Sequence, residues 1–328
     1  MNRWLIPLLL LALLIVAGAS LLAGTVWLRP CEIFAAVSDP RPSLAGLIVS
    51  EIRLPRVVLA ILVGGILGLS GAVLQGLLRN PLAEPGLLGV SAGASLGAVI
   101  AIYYGFSTSF VLASPLFALI GGAATAGAAL LLARGGGTLA LILAGSAISS
   151  IAYAGVYLAL NLAANPYASF EILTWLMGSL AERSWDHVRL AGPFIVLGGA
   201  MLMLTAPALE ALALGEQQAE SLGIPIGRVR VLALFGTALG VGAATAVAGS
   251  IGFVGLVAPH LVRPLVGHRP AKVLIPAALV GAIIVVVADT ATRVIPAGGQ
   301  PIGLGVFISL VGAPFFLWLV LRMRTRTA

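Results

Sequence analysis

Charged residues make up only 9% of this 328-residue sequence, which excludes an ordinary soluble domain, where about a quarter of the residues carry charge. Cys31 is the single cysteine, so no internal disulfide can form. The single lysine, Lys272, stands between Ala271 and Val273. A phosphate loop needs Gly-Lys-Ser/Thr, so this chain does not hydrolyse ATP by that route. His187, His260 and His268 are too dispersed to pair at i, i+4 as metal ligands. Of the eleven acidic residues, only Asp289 falls well inside an apolar stretch, whereas proton-coupled carriers rely on sets of intramembrane carboxylates. Arg293 follows Asp289 at i+4, the order that favours a helical ion pair, and is expected to neutralise it.

The rest of the sequence is apolar: 60% of residues are hydrophobic and the mean hydropathy is +1.13. At roughly 20 apolar residues per crossing, the chain reads as an all-α polytopic membrane protein of about ten helices, one transmembrane domain over 1–328. The apolar stretches are Leu5–Trp27, Val57–Leu78, Leu87–Tyr104, Phe110–Ala133, Thr138–Ala163, Ala191–Ala206, Val231–Gly249, Gly252–Val266, Val273–Thr290 and Ile302–Leu321. The first has Thr25 where a lipoprotein signal would need cysteine, and is long enough to remain as an uncleaved span. With the N-terminus inside, inner loops carry eleven basic residues and outer loops seven, which places both termini in the cytoplasm. The net charge of +7 follows this topology rather than a basic face for nucleic acid. The 41 glycines and 19 prolines suit close helix contacts and broken spans.

Two interruptions, Asn80–Gly86 and Gly249–His260, are rich in glycine and proline. Irregular backbone of this kind is tolerated at membrane depth only when buried in protein or lining a cavity. Gly89-Val-Ser-Ala-Gly93 matches the hydrolase nucleophile pattern around Ser91, but that elbow needs a strand before the serine. Leu209–Arg230 is the polar exception, with Glu210, Glu216, Gln217, Gln218 and Glu220 close together. Helical spacing there puts Leu212, Ala219 and Leu222 on one face, and Gly223 and Pro225 stop the helix. A polar surface helix between two blocks of spans is a docking surface for something in the aqueous phase.

Six segments then become specific: Arg53-Leu-Pro-Arg56, Leu69-Ser-Gly-Ala-Val-Leu-Gln75, Asn80-Pro-Leu-Ala-Glu-Pro-Gly-Leu-Leu-Gly-Val-Ser91, Leu212-Ala-Leu-Gly-Glu216, Gly249-Ser-Ile-Gly-Phe-Val-Gly-Leu-Val-Ala-Pro-His260 and Pro301-Ile-Gly303. Together, in this order, they resemble the permease subunit of ABC importers for iron chelates (haem or siderophores) and vitamin B12. The resemblance implies a homodimer in the bacterial inner membrane with a translocation path at its interface. It also implies two copies of a separate cytoplasmic ATPase that bind ATP and Mg, one extracytoplasmic binding protein, and no cofactor in this chain. It places ATPase coupling on Leu212, Leu214, Gly215, Glu216, Glu220, Leu222, Gly223 and Pro225, in coupling helices at about 209–226. It makes Arg53, Arg56 and Arg293 the docking residues for the binding protein, and Thr138 the cytoplasmic gate, although Gly137 stands where the vitamin B12 type has a second polar gate residue. Trp175–Leu180 and Arg183–Val188 look closer to the iron-chelate type. The competing class is an ion-coupled secondary transporter using backbone carbonyls of the broken spans.

Overall fold

The computed structural model describes residues 4–24, 26–30, 44–110, 112–133, 136, 138–163, 165–295 and 302–327. Thr25, Cys31, Arg41, Gly137 and Pro301 lie outside them, as does the side chain of Thr138. Every regular element among the described residues is helical. In chain order these are α1 (Leu5–Leu22), α2 (Leu44–Leu77), α3 (Val90–Tyr103), α4 (Ala113–Leu132), α5 (Thr138–Asn161), α6 (Pro166–Leu176) and α7 (Trp185–Met203). They continue with α8 (Ala206–Leu212), α9 (Glu216–Ser221), α10 (Ile226–Ala248), α11 (Val254–Val262), α12 (Pro270–Val294) and α13 (Leu304–Thr327). Among the described residues, six helices are long and apolar enough to cross a membrane, the bent pair α7–α8 offers a seventh, and three further apolar helices are shorter.

Helix α2 starts thirteen residues before the expected Val57. Glu51, Arg53 and Arg56 end the apolar stretch there but not the helix, because Ile48–Arg53 widens into a π-helical turn. Pro55 has no N–H to give Glu51, and the wider turn absorbs that missing bond. Helix α6 has no counterpart among the apolar stretches. It opens where Asn165 accepts the Ala168 N–H at 2.8 Å and Pro166 follows at the first helical position, a local start signal that hydropathy does not register.

The core forms where glycines let backbones touch. A Cβ at Gly64 or Gly68 of α2 would run into the carbonyls of Gly281 and Ala277 on α12, and one at Gly198 of α7 would meet Gly236 and Gly240 of α10. Association in lipid depends on such contacts, since lipid tails offer helices no hydrophobic gain for leaving them.

The two interruptions meet inside the bundle through their buried parts, Ala83 and Pro85 of the first and Val254, Gly255 and Leu256 of the second, while Leu82 and Gly86 stay exposed. Gly71 of α2 packs on the backbone of Gly255, about 22 Å along α2 from Arg56 at 1.5 Å per residue. Pro259 within α11 removes the N–H that would have bonded the Gly255 carbonyl. Gln75 replaces it, donating Nε2–H to Gly255 O at 3.3 Å, while Arg263 donates to Gln75 Oε1. From the other break, Pro85 lies against Gly255. The carbonyl freed in the second break is thus answered from α2 rather than left unpaired.

Candidate functional site

Leu209–Arg230 folds as two short helices rather than one. Gly215, at φ +126°, turns the chain between α8 and α9, a conformation that a side chain would strain. Leu212 and Ala219 are buried as expected. Leu222 does not share their face: it is 64% exposed, and Leu214 is 65% exposed. The reason is that α9 ends at Ser221, so Leu222 stands past its last turn, where Gly223 at φ +79° redirects the chain, and no longer follows the helical phase of Ala219. Glu220 is exposed, and Glu216 reaches Arg230 of α10 at 3.5 Å. Glu210 accepts from Arg269 at 3.3 Å and from the Ala271 N–H at 3.3 Å, tying α8 to the first turn of α12. Gly223, at φ +79°, ends the segment, and Pro225 leads into α10. The arrangement presents two exposed leucines beside a fringe of carboxylates.

At the opposite end of α12 the charges are buried. Asp289, 1% exposed, takes a forked bond from Arg56, with Nε at 3.0 and 2.9 Å from its two oxygens and Nη2 at 2.8 Å. Arg293 stands farther away, at 3.4 Å, so the principal partner of Asp289 is Arg56 on α2 and not the i+4 arginine. Arg293 instead donates to Ser20 O at 3.3 Å and Ala23 O at 3.0 Å, and also to Ser20 Oγ. Arg53 donates to Leu21 O at 2.7 Å, to Leu22 O at 2.9 Å and to Val26 O. Two guanidiniums share one carboxylate, and those of Arg293 and Arg53 face the C-terminus of α1. Carbonyls without intrahelical partners and the negative end of the helix dipole lie there. The structure therefore brings together the three arginines expected as a docking patch, but turns Arg53, 6% exposed, inward as a cap on α1.

A third arrangement escaped motif reading. On α5, Ser146, Ser150, Tyr153, Tyr157 and Asn161 are all exposed, while Leu141, Ala144, Ile148, Ala152 and Val156 on the other side are buried. Intervals of four, three, four and four residues keep the polar side chains within one face of the helix. The Tyr153 and Tyr157 rings stack at 6.5 Å. Hydroxyls and a carboxamide on the open face of a spanning helix are costly against hydrocarbon. That face therefore requires water or a protein partner. The signal was present as a helical period of polar residues, hidden within a stretch read only for its average hydropathy. Nearby, Leu173, Met177, Ser250, Gly252, Gly305 and Ser309 line an open cleft of about 750 Å³.

The remaining expectations resolve simply. Ser91 sits in the first turn of α3, entered through Gly89 at φ +79°, so the strand-to-helix elbow is missing. His187 bonds back to Ser184 in a capping box at the start of α7, and His260 Nδ1 lies 2.9 Å from Leu256 O. Thr138 opens α5. Arg183, in the turn before α7, donates to Val247 O at 2.6 Å, and burial lowers its pKa.

The model of the FecCD transport family matches residues 9–322. The chain belongs to the FecCD transport family. Among the relatives of this FecCD protein is the Fe(3+)-citrate import system permease protein YfmE of Bacillus subtilis strain 168, 36% identical over 97% of this chain and 96% of that one. Another is the hemin transport system permease protein HmuU of Yersinia pestis, 41% identical over 84% of this chain and 83% of the relative. A solved structure described as an inward-facing conformation of a metal-chelate-type ABC transporter matches with a TM-score of 0.85 at 33% identity, covering 97% of this chain and 98% of that one. The FecCD chain is thus an all-helical ABC permease and a multi-pass protein of the inner membrane.

Proposed function

We propose that this chain forms the membrane path of an ATP-driven importer for an iron chelate (a ferric siderophore or haem) or for cobalamin. The observation that carries this reading is the exposed polar stripe on α5, a wettable face on a helix that otherwise belongs in lipid. Two copies would turn these stripes toward each other around a two-fold axis, enclosing water and excluding lipid. The cleft beside α6 and α13 is of a size that suits a bulky chelate. Both termini lie in the cytoplasm, which places α8 and α9 on that side and the arginine cluster outside. Two cytoplasmic ATPase subunits, binding ATP and Mg, seat on Leu214 and Leu222. Gly215 and Gly223 shape that surface, Glu216 and Glu220 fringe it, and Leu212 and Pro225 fix it to the bundle. Thr138 stands at the cytoplasmic mouth. One binding protein docks outside over Arg56 and Arg293; to engage Arg53 it would have to displace the carbonyls of α1.

The reading is tested by reconstituting the chain with its ATPase and binding protein in liposomes and following radiolabelled ferric siderophore, haem and cobalamin. ATP-dependent uptake of one of them is expected, with two copies of this chain per assembly by mass measurement. Uptake driven by a sodium or proton gradient without the ATPase would establish the secondary-transporter reading instead.

A further inference from the structure

Helix α13 is a partition with a different space on each side. Gly305, Val306, Ser309, Leu310 and Ala313 face the cleft of about 750 Å³, which Ser250 and Ser309 make partly polar. Phe307, Ile308, Val311 and Phe315, on the opposite side of the helix, line a second recess of about 350 Å³. Its other walls are Val257 and Leu261 of α11 and Ile284 and Val287 of α12, and no residue described in the lining carries a polar side chain. Helix α13 is held at its start, where the Leu304 N–H donates to Gly178 O at 2.8 Å and the Gly305 N–H to Met177 O at 3.0 Å. It touches α11 again at Gly312, where a Cβ would lie 2.6 Å from the Phe253 Cβ. Along the rest of this stretch the recess separates it from α11 and α12.

Depth and lining decide what fills the recess. Helix α12 begins at Pro270, so Ile284 lies about 21 Å along it at 1.5 Å per residue, within a hydrocarbon layer about 30 Å thick. Water in the recess would find no hydrogen-bond partner, and a void would deprive the lining of dispersion contacts. The exposed side chains of Leu261, Val287 and Val311 open it to the surroundings of the bundle. A second copy placed across the cargo path would stand on the cleft side of α13, which leaves this side to lipid. We propose that the recess binds one acyl chain of a membrane phospholipid, and that the chain braces α13 as a wall of the cleft. Only the link to the cleft rests on the transport reading; the site itself does not.

The test uses the full-length chain in phosphatidylcholine nanodiscs that contain a phosphatidylcholine with a photoreactive diazirine on its acyl chain. The chain is moved into detergent, washed and illuminated, and the labelled residues are mapped by mass spectrometry. Retained label is expected around Val257, Ile284 and Val311 at about tenfold the level on Leu14 and Ile15 of α1, which are exposed and report lipid that merely surrounds the protein. Val257→Phe and, separately, Ile284→Phe fill the recess from two helices and should lower its label to the α1 level. Returning phosphatidylcholine to the washed chain should slow hydrogen exchange over residues 306–316 by about tenfold, and only slightly in Val257→Phe, where the ring already occupies the space. Recess label no higher than that on α1 overturns the proposal even if neither filled variant folds. Label that both fillings leave unchanged overturns it too, as does cross-linking of recess residues to a second copy of the chain. Retained label with no effect of lipid on the exchange of α13 removes the brace. Cargo uptake enters none of these readouts, so their failure leaves the transport reading standing.

Discussion

The two ends of α12 use the same residue types in opposite ways. At its start, Arg269 and Glu210 are 57% and 31% exposed, and near them Glu216 and Arg230 meet loosely at 3.5 Å. At its far end, Arg56, Asp289 and Arg293 are 14%, 1% and 12% exposed and bonded in a closed network. In water an ion pair is screened and its side chains lose entropy on pairing, so it contributes little. Out of water each charge has lost its hydration, and breaking the pair leaves the survivors without compensation. The contrast shows that an arginine near a glutamate or aspartate in this chain is informative only once its surroundings are known. One end is closed into the fold, and the other stays open to water.

Asp289→Ala is the most severe way to probe that contrast. It strands Arg56 and Arg293 in a buried site and should cost about 3–5 kcal/mol, seen as loss of folded protein or a large drop in the melting temperature of the solubilised chain. The double variant Arg56→Leu with Asp289→Leu should be less damaging than Asp289→Ala, because it removes the carboxylate together with its principal partner. Equal damage would mean that the pair itself, and not the stranded charge, dominates.

Arg53→Gln comes next. Removing charged hydrogen bonds to the α1 carbonyls should cost about 1.5–3 kcal/mol, localised to the end of α1. Hydrogen exchange should rise around residues 19–28, while α10 and α12 stay protected. A uniform rise would show that Arg53 supports the whole bundle rather than α1.

Gly68→Leu sharpens the comparison from the side of packing, since it forces α2 from the Ala277 backbone without touching a charge. Overpacking of this kind costs about 1–3 kcal/mol, and thermal unfolding should report a loss below that of Asp289→Ala. Glu216→Gln, at the exposed end, should cost less than ~1 kcal/mol and should do so only at low salt. A loss equal to that of Asp289→Ala would end the distinction between the two ends. The smallest stability change belongs to Leu214→Ala with Leu222→Ala, within about 0.5 kcal/mol because neither side chain is packed within the chain. Association with the ATPase partner, measured by co-purification, should nevertheless fall at least tenfold. An unchanged association would remove these leucines from the docking surface.

Much of this was legible in the sequence wherever the signal was local. Apolar stretches marked the long helices because hydrocarbon demands a continuous run of apolar residues. Asn80–Gly86 and Gly249–His260 announced broken backbone because glycine and proline punctuate helices directly. The polar segment around Glu216 stood out for its charge, although its division at Gly215 did not, since a lone glycine in a helical pattern does not declare a positive φ. Helix α6 had its Asn165-Pro166 start signal, and the α5 stripe had its period. Both were concealed by averaging hydropathy over windows longer than the features themselves.

What the sequence determined by itself was the solvent of each segment: which parts lie in lipid, which must be satisfied internally and which remain in water. Family membership also rests on order and spacing along the chain. Only the tertiary structure decided the partners. Asp289 has an arginine four residues away, yet its forked bond comes from Arg56, more than two hundred positions earlier, because close packing of α2 on α12 brings that guanidinium to it. Gln75 answers a carbonyl freed by Pro259, and Arg53 answers those at the end of α1. A residue's type fixes what bond it can make, but which unsatisfied group lies within reach depends on how the helices pack, and that information is distributed over the whole chain.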